Sequence, residues 1–331
     1  MHPPLAAAKS PWPSYLAALV TGWIALSAAG VYYARLKGIS LSLAGPVIVA
    51  FLLEYAFYLV PGFPALLDRL SRGLRPARLA FLLTASAMLP YLVYSLATGQ
   101  FQAIAAARLL ALVACISYWY VVREPGVTAD LAMLALIASV IIFKFFRSIY
   151  VFPIPRLGVD VLGQVMLIRL SAIVFLVFRD MDDTGFGFIP TAREWKIGLR
   201  YFLYFLPLGL SAAYAMGALR FAPSWTEVWR APLVFAGFLW VRALSEEFLA
   251  RGLLQRWLTD WTGRPTLALA IASVIFGLSH LGFRQYPNWK WVVVSSLLGW
   301  FCGKAYQEAG GIRASMVTHT LVVVVWQTLF V

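Results

Sequence analysis

The sequence predicts an all-α fold, a polytopic transmembrane helical bundle of about 10–12 spans. Three observations lead there. Of 331 residues, 62% are hydrophobic and 12% charged, about half the charged fraction of a soluble domain. Eleven apolar segments approach or exceed the roughly 20 residues a helix needs to cross a bilayer. The basic residues behind the formal charge of +13 sit mostly at the ends of these segments, where membrane proteins set their topology. No basic–aromatic groove pattern accompanies them, so the charge speaks for membrane lipids and against nucleic acid.

The segments lie near 14–34, 39–60, 79–97, 102–122, 128–146, 159–178, 199–218, 231–257, 265–283, 291–306 and 312–331. The first lacks a basic leader and a cleavage pattern, so it reads as a retained span rather than a signal peptide. After the second, Phe63, Leu66, Leu67, Leu70 and Leu74 recur at helical spacing with Arg69 and Arg72 opposite. That pattern predicts a short interfacial amphipathic helix. Glu54, Arg108 and Arg169 fall inside apolar runs, and pairing Glu54 with one of the arginines is the least costly way to hold them in lipid. Basic residues cluster after the second and sixth spans, which predicts a cytoplasmic N-terminus and cytoplasmic loops there.

Residues 179–198 form the longest polar stretch, with Asp180, Asp182, Asp183 and a Gly-x-Gly. The aspartates lack EF-hand spacing, and the stretch reads as a loop dividing residues 1–180, an accessory set of helices, from 181–331. Cys115 and Cys302 lie in separate apolar spans without metal-ligand spacing and read as small buried hydrophobes.

The polar residues that resist a filler reading begin at Arg242-Ala-Leu-Ser-Glu246-Glu247-Phe-Leu-Ala-Arg251. An intramembrane charge costs roughly 2.5–3.5 kcal/mol on insertion scales and so marks function or a specific pair. Arg242 precedes Glu246, and Arg251 follows Glu247, at the i,i+4 spacing that lets side chains meet. Of three histidines, His280 and His319 fall in later apolar segments. Thr262-Gly263-Arg264-Pro265 breaks the chain between Glu246 and His280. Each lies about 24 Å along its helix from that turn, at 1.5 Å per residue. Antiparallel neighbours therefore bring the two to matching depth, while His319 lies about 10–13 Å in from its own turn.

Such a set suits hydrolysis: a buried glutamate takes a proton from water, a histidine orients that water, and another donor meets the developing oxyanion. Zinc held by Glu246, His280 and His319 is the rival chemistry, although no HExxH motif is present.

These residues resemble the CAAX-protease and bacteriocin-processing (CPBP, abortive-infection) family of glutamic-type intramembrane endopeptidases, related to the type II CAAX prenyl endopeptidases. Glu246-Glu247-Phe-Leu-Ala-Arg251 matches the family's E-E-x-x-x-R, and Phe276-Gly-Leu-Ser-His280 its F-x-x-x-H. His319 matches the first half of H-x-x-x-N/D, and the resemblance covers about residues 230–331. It implies a CAAX-protease-like core in the C-terminal part, with Glu246 as general base, His280 assisting, and His319 at the oxyanion. Glu247 and Arg251 would support them, without a cofactor. It also implies a membrane-associated or lipidated peptide or protein as substrate, and a bacterial inner (cell) membrane as location. One departure stands out. Val323 occupies the Asn/Asp position and cannot donate a hydrogen bond; Ser315, one turn before His319, is a candidate replacement. The departure keeps a catalytically impaired binding or immunity protein in play, and the buried charges of the first half keep a transporter.

Overall fold

The computed structural model describes residues 12–152, 154, 158–181 and 184–330, the side chains of residues 226 and 227 excepted. Asp182 and Asp183, two of the three loop aspartates, lie outside the described residues. Among the described residues the chain forms twelve helices and no β-strand, with one antiparallel bridge between Phe221 and Phe330. It divides into two compact units, Met1–Met181 and Asp182–Val331.

The first unit holds α1 (Trp12–Leu36), α2 (Leu41–Gly62), α3 (Pro64–Gly73), α4 (Pro76–Ala97), α5 (Ala103–Val122), α6 (Val127–Ile142) and α7 (Val161–Phe178). Pro64 and Pro76 open their helices, where the missing N–H has no intrahelical partner to lose. Helix α3 is the amphipathic helix expected: Leu66 and Leu67 are buried, while Arg69 and Arg72 are exposed.

Two buried polar knots hold this unit. Arg169 on α7 donates from Nε to Glu54 on α2 at 2.6 Å and from Nη1 to Ser86 on α4 at 2.9 Å. Arg179 forks onto the buried Asp130 at 2.9 and 3.0 Å, and Tyr120 donates to the same carboxylate at 2.7 Å. Glu54 therefore pairs with Arg169 and not with Arg108, which is exposed on α5. There its long stem lets the guanidinium reach polar surroundings without a counter-charge.

The second unit holds α8 (192–215), α9 (225–262), α10 (Pro265–Leu278), α11 (Trp289–Ala309) and α12 (Ile312–Leu329). Helix α8 starts within the polar stretch read as loop through 198. The cause is a capping box: the Thr191 side chain accepts from the Glu194 backbone, and Glu194 accepts from the Thr191 backbone at 2.6 Å. This reciprocal arrangement satisfies two otherwise orphaned donors. Arg313 ties the same Glu194 to α12 at 3.0 Å.

Small residues let two pairs of helices approach closely. A Cβ on Gly277 of α10 would meet Ser296 Cβ at 3.0 Å, and one on Gly299 of α11 would meet the Ser273 backbone at 3.1 Å. Such small-residue seams are how helices associate where lipid offers no hydrophobic drive. On α8, a Cβ at Gly198 would lie 2.6 Å from Val317 Cβ, and Thr318 donates to the Gly198 carbonyl at 2.9 Å. Gly198→Val is expected to push α12 away from α8, at about 1–3 kcal/mol of overpacking, and to displace His319 next to that contact. A lowered unfolding midpoint for the purified protein checks it.

Among the described residues six helices can cross a membrane by length and composition: α1, α2, α4, α5, α7 and α12; α6 and α10 are shorter apolar helices. Large side chains such as Phe81, Ile104, Ile142 and Leu233 face outward, as lipid contact requires. Helices α8, α9 and α11, expected near 199–218, 231–257 and 291–306, are not among the six. They carry the charges of the site or of the helix ends.

Candidate active site

Helix α9 is a composite. Two wide π-helical stretches, Phe238–Ala243 and Phe248–Gln255, flank one α-helical turn, Leu244–Glu247. Interruptions of this kind concentrate at functional sites, and here the turn between them carries both glutamates.

The two adjacent carboxylates have opposite environments. Glu247 is fully buried; it accepts from Arg251 Nε at 3.2 Å and meets His319 Nδ1 at 2.7 Å. Cys302 lies beside it, its Sγ within 4.8 Å of a carboxylate oxygen. Arg251, also fully buried, rests its guanidinium over the Phe276 ring at 5.1 Å, where the ring face replaces lost water. Glu246 instead keeps its side chain 33% exposed, with Oε2 3.7 Å from His319 Nε2.

These bonds set the histidines. His319 donates from Nδ1 to Glu247, so Nε2 is the atom turned toward Glu246. Phe238 and Phe276 flank its ring at 5.2 and 5.6 Å. His280 Nδ1 lies 3.0 Å from the Phe276 carbonyl, an oxygen that can only accept. The proton of a neutral ring therefore sits on Nδ1, leaving Nε2 as an acceptor.

Glu246, His280 and His319 line one cavity of about 130 Å³. A water needs about 10–15 Å³ of such space, so the cavity takes water with room for a further group. Its other walls are mostly apolar, including Phe205, Leu298 and Trp326, and Arg242, Ser295 and Gln327 add polar atoms. Phe276 links the histidines, with its ring 5.0 Å from His280 and 5.6 Å from His319.

Two expectations change. Arg242 is exposed and, among the described residues, forms no ion pair with Glu246; an exposed guanidinium gains little from a half-exposed carboxylate beyond its own hydration. Ser315 does not line the cavity. Its hydroxyl donates to the Ile312 carbonyl at 2.7 Å, so it cannot replace the missing donor at Val323, which does line the cavity.

Among the described residues, Glu247, Cys302 and His319 bring ligand atoms within 4.8 Å of one another. The Arg251 guanidinium already supplies the positive charge at Glu247, and His319 Nδ1 is engaged there. Glu247, His319 and Arg251 form a hydrogen-bonded scaffold behind Glu246. Cys302 is fully buried in an apolar cluster, as expected of a small buried hydrophobe, whereas Cys115 is exposed.

Comparison with known proteins bears on this C-terminal unit. Residues 228–325 match the family described as type II CAAX prenyl endopeptidase Rce1-like. The matched segment covers under a third of the chain and contains Glu246, Glu247, Arg251, Phe276, His280 and His319. It supports membership of the CAAX-protease and CPBP family. No curated protein and no solved structure matches the chain. With six helices able to span, the chain is an integral, multi-pass membrane protein.

Proposed function

We propose that the protein is a glutamic-type intramembrane endopeptidase that hydrolyses a peptide bond of a membrane-associated or lipid-modified protein or peptide, in a bacterial inner membrane. One observation carries the reading: a carboxylate with partial access and two oriented imidazoles share one cavity with room for water and a further group.

In this reading water binds between Glu246 and His280 Nε2. Glu246 removes one proton as the water oxygen bonds to the peptide carbonyl carbon, and the carbonyl becomes an oxyanion. His319, turned toward the cavity at Nε2, donates to that oxyanion when this nitrogen carries a proton. Collapse breaks the C–N bond, and the proton held by Glu246 passes to the leaving amine. Glu247 and Arg251 stay outside the reaction and hold His319 in place. The reaction needs no cofactor.

The test compares protein termini in membranes of cells expressing the wild-type chain or Glu246→Gln. New termini that vanish in the variant support hydrolysis; identical termini favour a non-catalytic binding protein, the reading that the apolar Val323 in the cavity wall supports. Bound zinc by elemental analysis, with cleavage lost to a tight chelator, would move the chemistry to a metal on Glu246, His280 and His319. For transport, the rival reading, the buried charge to disturb is Glu54, which is closed onto Arg169.

A further inference from the structure

Hydrolysis through this cavity needs a donor for the oxyanion besides His319, and Val323 has none to give. Apart from the histidines, the lining contains five side-chain donors: Arg242, Gln327, Ser295 and the indoles of Trp291 and Trp326, the last two packed on each other with ring centroids 4.4 Å apart, one turn further from His319. Arg242 and Gln327 are exposed. Ser295 on α11 is buried, with 4% of its surface accessible.

Its hydroxyl is also unlike its neighbours'. Ser296, Ser273 and Ser315 each donate to a carbonyl of their own helix, at 2.7 Å in every case. This is the ordinary fate of a helical serine. Among the described residues the Ser295 hydroxyl makes no such bond, and Ser295 lines the cavity.

The helix register places it at the right level. Helices α11 and α12 run antiparallel from the turn at Gly310-Gly311, and the Trp291 and Trp326 rings meet at 4.4 Å. One turn along each helix from that contact, Ser295 stands opposite Val322 and Val323, the latter about one turn, roughly 6 Å, from His319. On the other side the adjacent Ser296 packs on Gly277, three residues before His280. Ser295 thus lies between the levels of the two histidines.

We infer that Ser295 Oγ–H is the oxyanion donor of this enzyme, supplied from α11 in place of a side chain at Val323 on α12. The inference rests on the proposed hydrolysis. The hydroxyl donates a hydrogen bond as the carbonyl oxygen gains charge; it forms no covalent bond and transfers no proton.

The experiment measures cleavage of a dye-labelled, farnesylated CAAX peptide by the full-length protein in liposomes. Five forms are compared: wild type, Glu246→Gln, Ser295→Ala, Ser295→Thr, and Ser295→Ala combined with Val323→Asn. Ser295→Ala is expected to lower kcat about 10²-fold, the usual effect of losing one oxyanion donor, with KM nearly unchanged. Ser295→Thr should retain most activity, and Val323→Asn should restore part of it to Ser295→Ala. These last two distinguish a lost donor from a disturbed fold. Glu246-dependent cleavage that survives Ser295→Ala at the wild-type rate would overturn this inference and leave the hydrolase reading standing. So would a loss that neither threonine nor the asparagine repairs. Absence of any Glu246-dependent cleavage would bring down both.

Discussion

Glu246→Gln is expected to lower kcat for peptide hydrolysis by about 10²–10⁴-fold, the range a positioned general base contributes, while the unfolding midpoint stays near that of the wild type. The two halves of this expectation share one cause. Glu246 is the carboxylate with partial access, and among the described residues its one partner at ion-pair distance is His319 Nε2 at 3.7 Å, beyond a hydrogen bond. Few native bonds depend on its charge, so a glutamine of the same shape leaves the fold intact but cannot take a proton from water. Single-turnover rates alongside thermal unfolding of the purified variant check both. A fall in stability matching the fall in rate would mean that Glu246 is structural.

Glu247→Gln is expected to do the reverse in origin: to destabilise the second unit by about 3–5 kcal/mol, as removal of one partner of a buried ion pair does. Arg251 would then keep a buried positive charge with no counter-charge, since Glu247 alone neutralises it among the described residues. His319 would lose the carboxylate that orients it at 2.7 Å, so activity falls as well. The discriminating measurement is equilibrium unfolding in a denaturing detergent. Replacing Glu247 and Arg251 together by Gln and Met should recover part of the stability without recovering activity, because the stranded charge goes but His319 stays unanchored. Similar unfolding curves for Glu246→Gln and Glu247→Gln would contradict the division of labour between the neighbours.

How far the sequence went depended on how unusual each residue is in its surroundings. Glu246, Glu247, Arg251, His280 and His319 stand out because ionisable groups in apolar runs are costly, and the turn at Gly263-Arg264-Pro265 allowed the depth of Glu246 and His280 to be compared. In the structure Glu246, His280 and His319 line one cavity. The pairing of Glu54 with Arg169 was legible for the same reason; its choice over Arg108 was not, because which face of α5 meets α2 is a matter of packing. Ser295 was invisible. Serine is common in membrane helices, and only the missing back-bond and the neighbouring cavity set it apart. The start of α8 was legible in principle: Thr191-x-x-Glu194 is a capping-box pattern, but apolar length was the signal followed there. The π-helical stretches of α9 left no sequence mark that separates them from ordinary helix.

The placement of the two thiols has a practical consequence for sorting inhibitors. Cys115 is exposed and Cys302 is buried against Glu247, so an alkylating reagent meets Cys115 first, in the other unit from the cavity. Inactivation that persists when Cys115 is replaced by serine would report a probe forcing its way to Cys302 and prising apart the carboxylate's bonds. Sensitivity to maleimides would then measure how often the bundle opens, and would not identify a sulfur nucleophile.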